Sequence, residues 1–276
     1  MAVTALPPEA IRARLDELVT MWRDGSHETI DAARRDGDVV AITVYGLVAH
    51  VHSLAAAVHA LDDAGAEPTM VPLVRQMLEC AVTAMWVERF GRRAAVTVVR
   101  DDTRNRLLTL KEFLKAGVPD DGSLDNLQAS LDELDPDVGR ESEKFFQRCL
   151  ELEGMAGTYA MFRALSGVSH TSGMVVDLYT KPIDKTPDRP LGVALAARPK
   201  EWLPDAVIGI GLTYLLFAGM AWDRVDKNHR SRTRLKQIAA ELGVRLEWAE
   251  SATGLKRQSA WERLDREKRK APDPHR

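Results

Sequence analysis

The chain predicts an all-α fold, and three observations predict it. Apolar residues recur at three- and four-residue spacing through most of the 276 residues, and no segment alternates apolar and polar convincingly enough for a strand. The breaks between periodic segments carry glycine or proline, as in Asp62-Asp63-Ala64-Gly65 and Phe90-Gly91. The apolar and charged fractions, 45% and 29%, are those of an ordinary globular protein with a sizeable core.

A first helix opens at Pro7-Pro8-Glu9, where proline suits the first turn. Its apolar stripe is Ile11, Leu15, Leu18, Val19 and Trp22, and Gly25 ends it. A short polar helix is expected from about Glu28 to Arg35. A second long helix runs from about Val39 to Asp63, closed by Gly65. The third, from about Thr69 to Phe90, is opened by Pro72, closed by Gly91, and apolar almost all round, which marks a buried helix.

A fourth helix from about Ala94 to Leu114 sets Arg100, Asp101, Arg104 and Arg106 against Leu107, Leu108, Leu110 and Phe113. VPDDGSLD reads as a loop, and two modest helices flank Asp135-Pro136. The next helix holds Tyr159, Arg163 and His170. An irregular segment from about 180 to 200 carries prolines at 182, 187, 190 and 199.

The stretch AVIGIGLTYLLFAGMAW, Ala206 to Trp222, is near the lower length limit for a membrane span. Its flanks, Asp205 and Asp223, and its glycines at 209, 211 and 219 favour a central core helix, so no membrane insertion is expected. That helix is expected to run on into a basic segment, DKNHRSRTRLK. We expect one helical domain over 1–246 and a charged, helical or flexible tail over 247–276 that includes Leu255, Trp261 and Leu264.

The net charge of -3 argues against a generic polyanion binder, although basic residues dominate from Lys227 onward. Arg230, Arg232 and Arg234 alternate, so on a helix they scatter rather than form a stripe. Cys80 and Cys149 make neither a disulfide framework nor a metal spacing. The first residues lack a basic-then-apolar signal pattern, and a cytoplasmic protein is expected.

The chemistry concentrates in a few polar residues set in apolar helices. Arg75 and Glu79, in LVRQMLECAVTAMWV, are four apart and share a helix face with Val82 and Trp86. The spacing predicts a mostly buried ion pair, within hydrogen-bonding reach of itself or of His170. It serves either as a register-fixing pair or as a substrate clamp in which Glu79 orients Arg75. Arg163 and His170, in YAMFRALSGVSH, are seven apart and share a face if the helix is continuous.

Histidine to move a proton and arginine to stabilise a phosphorane are what metal-free RNA cleavage needs. The other outcome is a core histidine bonded to Glu79 or to a backbone carbonyl. Ser166, Gly167, Ser169, Thr171, Ser172 and Gly173 are poor helix formers, so the helix is vulnerable near Gly167.

Several familiar chemistries do not fit. His50 and His52 point to nearly opposite sides of a helix, and His59 is two turns beyond His52, so no metal site is assigned. No Glu-x-x-His pair supports a di-iron bundle. Ser166 and His170 lack a strand-to-helix elbow, and no glycine-rich loop follows a strand. No cofactor is implied.

The segments HVHSLAAAVHALDDAG, LVRQMLECAVTAMWV and YAMFRALSGVSH resemble an uncharacterised bacterial all-helical family. That family combines an Arg-x-x-x-Glu helix with a later Tyr and Ser-x-x-x-His element. The resemblance covers about half the chain and says little about activity; Arg75, Glu79, Tyr159 and Ser166 are taken as candidate substrate-binding residues.

A second resemblance is to the HEPN superfamily of helical nucleases and RNA-binding domains, whose hallmark is arginine, four to six residues, then histidine. Arg163-ALSGVS-His170 has the longest of those spacings, and Ala164 stands where active members usually carry a polar residue. The resemblance implies a homodimer with a composite, metal-independent RNA-cleaving site built on Arg163 and His170, of the kind found in phage defence or stress response. A non-catalytic interaction or ligand-binding module, with Arg75, Glu79 and His170 as a structural network, is the main rival function, and a membrane-associated protein is the third.

Overall fold

The computed structural model of the chain describes residues 6–25, 38–134, 144–200 and 204–270. Among them the fold is all-α, with eleven helices and one two-stranded hairpin. The helix expected near residues 28–35 and the Asp135-Pro136 break lie outside the described residues.

α1 (Pro8–Asp24) starts on proline and ends at Gly25, and it buries Ile11, Leu15 and Leu18. α2 (Asp38–Asp63) and α3 (Glu67–Phe90) are joined through Gly65, whose φ of 66° is open to glycine without strain. Pro72 does not open α3. The helix begins a turn earlier, with proline again near its start at Pro68, and Pro72 lies inside. A missing N–H that close to the start removes only one early backbone bond. From Met77 to Glu88 nearly every residue of α3 is buried, which is why its sequence shows so little amphipathicity.

Gly91 (φ 70°) turns the chain into α4 (Arg92–Lys115). α5 (Ser123–Glu133) and α6 (Phe145–Glu151) lead to α7 (Ala156–Ser169) and α8 (Gly173–Leu178). The segment expected to be irregular contains a hairpin. β1 (Thr180–Pro182) pairs antiparallel with β2 (Val193–Leu195) in the register Thr180↔Leu195 and Pro182↔Val193. Strands three residues long are too short to show an alternating pattern.

α9 (Pro204–Val225) packs against α2 and α3, and these three helices form the centre of the core. By length and composition both α2 and α9 could cross a membrane. Two thirds of the most apolar stretch of α9 (67%) is nevertheless buried inside the fold, against 39% for α2, so α9 is a core helix here. Its acidic start is paired, with Arg12 of α1 reaching Asp205 at 3.2 Å and Asp62 of α2 at 2.5 Å.

α9 does not run on into the basic segment. Asp226 accepts from the backbone N–H of Asn228, His229 takes φ 48°, and a new helix α10 (Arg232–Glu241) begins. α10 crosses α9 closely, since a Cβ on Gly219 would lie 3.1 Å from Leu235. The C-terminal segment is helical and packs on the rest of the fold. α11 (Ala252–Lys270) lies against α6, and Trp248 and Trp261 are both buried in the core.

Candidate functional site

The seam between α3 and α7 brings together four residues that the sequence singled out. Arg75 projects from α3 toward α7, where its Nε donates to Ser166 Oγ at 2.9 Å. Ser166 Oγ in turn donates to the carbonyl of Phe162 at 2.7 Å. The guanidinium lies 4.3 Å above the Phe162 ring, and that ring stacks with Tyr159. Glu79 closes the group at 3.9 Å from Arg75 Nη2. Arg75 therefore has a hydroxyl, an aromatic face and a carboxylate around it, a setting that orients a planar guanidinium.

Two expectations for this seam need correction. The pair is half-buried rather than mostly buried, with side-chain exposures of 18% for Arg75 and 32% for Glu79. At 3.9 Å it is an ion pair and not a hydrogen bond. α3 is buried all round only beyond Glu79, so an apolar sequence over the whole helix overstated the burial of its first half.

His170 is not on the helix face of Arg163. α7 ends at Ser169, and His170 has extended backbone (φ -124°, ψ 164°). The serines end the helix, since Ser169 Oγ donates to the Leu165 carbonyl and Ser172 Oγ to the Gly167 carbonyl. Gly167 lets α8 fold back closely, because a Cβ there would collide with Met174 Sδ. His170 is thus displayed in the short turn between α7 and α8. It is exposed and Arg163 is exposed, and neither carries a hydrogen bond or ion pair among the described residues. His170 takes no part in the Arg75–Glu79–Ser166 network.

Sequence reasoning missed a deeper polar network at the other end of α3. Glu151 of α6 is completely buried, yet accepts from Trp86 Nε1 at 2.7 Å and from Arg257 Nε of α11 at 2.9 Å. Glu88, also buried, accepts from Trp248 Nε1 at 3.2 Å and lies 3.6 Å from Arg224 of α9. Arg148 donates to Thr83 at 3.1 Å, and its burial pulls its pKa down from the ordinary arginine value, opposed by Asp101 and Glu79. The same interior pushes the thiols of Cys80 and Cys149 up to about 11 and about 12. The partners lie 65 to 160 positions apart, so no local spacing reveals them.

The histidines of α2 do not converge. His52 is buried, with Nδ1 2.9 Å from the carbonyl of Val48 and its ring stacked on Trp22 at 4.3 Å. His59 lies 3.7 Å from Asp16 and 3.8 Å from Asp63. Among the described residues no three His, Cys, Asp or Glu side chains are grouped to hold a metal ion.

Against known proteins, no family model, no curated protein and no solved structure matches the chain.

Proposed function

We propose that the chain is a HEPN-like RNA-binding protein of the cytoplasm, with metal-independent phosphodiester cleavage as its chemistry and the exposed end of α7 as its working surface. The observation that supports this is a contrast between two arginines on adjacent helices. Arg75 is engaged on every side by Ser166, Phe162 and Glu79. Arg163 and His170 are exposed and unengaged among the described residues, as groups that meet a substrate are. The Arg75 seam anchors α7 on the core and so fixes the turn that carries His170.

In such a cleavage the RNA 2'-oxygen attacks phosphorus, its proton passes to a base, the P–O5' bond breaks, and an acid protonates the departing 5'-oxygen. The products are a 2',3'-cyclic phosphate and a 5'-hydroxyl. Arg163 stabilises the phosphorane charge, and histidine moves a proton at each end. One chain offers one histidine at this surface, so a homodimer supplies the second. A role in phage defence or stress response is consistent with that chemistry.

The test is incubation of the purified chain with total RNA, with and without EDTA, beside His170→Ala and Arg163→Lys. Cleavage that survives EDTA, disappears with His170→Ala and weakens with Arg163→Lys is the expected result, since lysine lacks the planar fork. A His170→Ala protein that cleaves as fast as the parent removes the nuclease function.

A non-catalytic interaction module is the second reading, and a separate observation favours it. The hairpin that follows α8 exposes Leu191 (83%), Leu195 (88%) and Val193 beside exposed Val176 and Tyr179. Exposed apolar side chains grouped in this way mark protein or membrane contacts and ligand grooves. Absence of both RNA binding and cleavage leaves this reading standing.

A further inference from the structure

α6 and the first turns of α7 carry aromatic side chains that the cleavage chemistry does not use. Three of the chain's six phenylalanines, Phe145, Phe146 and Phe162, gather there with Tyr159. Phe145 faces inward and is buried, its ring centroid 4.7 Å from that of Phe162. Phe146, the next residue, is 39% exposed. Its ring lies 4.8 Å from Tyr159, which stacks in turn on Phe162 at 5.9 Å. The ladder therefore runs from an exposed ring at the surface to the Phe162 face under Arg75. Rings backed by other rings are held in place before a ligand arrives.

The second observation is where the ladder stands. Tyr159 and Arg163 are four apart in α7, so they are neighbours on one face, separated by about 6 Å along the axis. Arg163 is exposed and unengaged among the described residues. Tyr159 is only partly buried, and its hydroxyl has no hydrogen-bond partner among the same residues. His170 follows beyond Arg163, past the end of the helix. Aromatic rings beside a free cation are the two elements that grip single-stranded nucleic acid. Bases stack on the rings and the backbone phosphate meets the cation.

We propose that Phe146 and Tyr159 form a base-stacking platform that selects unpaired RNA, an inference that rests on the RNA reading of the α7 surface. The base adjoining the phosphate held by Arg163 stacks on the two rings. In a duplex each base face is covered by its neighbours, so the platform has nothing to bind and only the phosphate contact remains. Every base has a π face, so the platform selects strandedness and tolerates sequence. Neither ring touches the reacting atoms. Their part is to choose the substrate and to set its phosphate against Arg163.

The experiment is a fluorescence titration of the full chain with a 2'-O-methyl oligouridylate that carries one 2-aminopurine, free and paired with its complement. The methyl groups block cleavage, so binding alone is read, and 2-aminopurine is quenched when it stacks. We expect the free strand to bind about tenfold or more tighter than the duplex and to be quenched on binding. Phe146→Leu and Tyr159→Leu keep an apolar side chain and lose the stacking face. Each weakens the free strand by about tenfold, reduces the quench and leaves the duplex unchanged. Tyr159→Phe binds as the parent does. Arg163→Ala weakens both forms.

Equal binding of free strand and duplex by the parent overturns the platform. So does parent-like affinity and quench in both leucine variants, and in either case the RNA reading stands. If Tyr159→Leu proves misfolded by circular dichroism, the exposed Phe146→Leu decides alone. A parent that binds neither form overturns the RNA reading, and the platform falls with it.

Discussion

The two ends of α3 carry polar groups under opposite conditions. Near its start, Arg75 and Glu79 face a seam that water still reaches, and their mutual distance is 3.9 Å. Near its end, Trp86 and Glu88 face a sealed interior in which Glu151 has no exposure and two donors within 2.9 Å. Water supports the first group when the protein partner is poor. The second has only its protein partners, and each must be in place. The same helix therefore holds one adaptable polar contact and one obligatory one. The adaptable contact lies beside the turn that bears His170.

Replacing Glu151 is the most severe way to test this difference. Glu151→Ala removes the carboxylate that Trp86 and Arg257 both donate to. An indole N–H then loses its acceptor in the interior and a guanidinium loses its counter-charge. We expect a loss of about 3–5 kcal/mol in chemical denaturation. A loss under about 1 kcal/mol would show that the interior admits water and that the two ends are alike.

Gly254→Ala probes the same network through the backbone. A Cβ at Gly254 would collide with the Glu151 carbonyl oxygen and lie 2.8 Å from Phe90. Backbone cannot yield as a flexible side chain can, so α11 must shift away from α6 and Arg257 moves with it. We expect about 1–3 kcal/mol of destabilisation, read as a lowered denaturation midpoint. An unchanged midpoint would mean that α11 docks loosely, as a tail would.

The shallow end was legible in the sequence because its logic is local. Arg75 and Glu79 are four residues apart, and Ser166 and Phe162 are likewise one turn apart, so helical spacing alone groups each pair. The cross-helix bond from Arg75 to Ser166 spans 91 positions and became visible only through packing. The deep network has no such local half. Glu88 and Glu151 look like ordinary surface acids in sequence, and Arg257 lies in a stretch so charged that it reads as a solvated tail.

Trp86, Trp248 and Trp261 were the available signal. Three tryptophans distributed over α3 and the C-terminal segment imply a shared burial, and an indole N–H in a core requires an acceptor. The end of α7 was half legible. Its serines and Gly167 announced a weak helix, but whether His170 stayed on it depended on Ser172 reaching the Gly167 carbonyl.

The cysteines report on the two ends without perturbing either. Burial raises both thiols from an ordinary value of 9.0, Cys80 to about 11 and Cys149 to about 12. For an acid raised on folding, the contribution to stability is complete below about pH 9 and is lost as pH rises through the folded value. Near neutral pH both should be neutral and unreactive in the native protein. In denaturant below the global midpoint, Cys80, which adjoins the shallow end, should label with a thiol reagent before Cys149. Equal rates would place both in one cooperative unit.

The smallest effect is expected at the residue the sequence made most prominent. For a fully buried pair, removing Glu79 would leave an uncompensated guanidinium and cost about 3 kcal/mol or more. The observed setting is different. Glu79 is 32% exposed and 3.9 Å from its partner, and Arg75 keeps Ser166 and the Phe162 face when the carboxylate is gone. Solvent screening then limits the pair to about 1 kcal/mol or less.

Ser166→Ala offers the matching measurement, because it removes the 2.9 Å hydrogen bond that Arg75 donates across the seam, together with the 2.7 Å bond within α7 to the Phe162 carbonyl. Its loss should equal or exceed that of Glu79→Ala, at about 1 kcal/mol. Should Glu79→Ala instead cost several kcal/mol, the carboxylate would be acting inward, on Arg148. The lowered pKa of that buried arginine is already offset in part by Glu79. A double mutant of Glu79 and Arg148 separates these cases, since coupling between them would make the seam and the deep network one electrostatic unit.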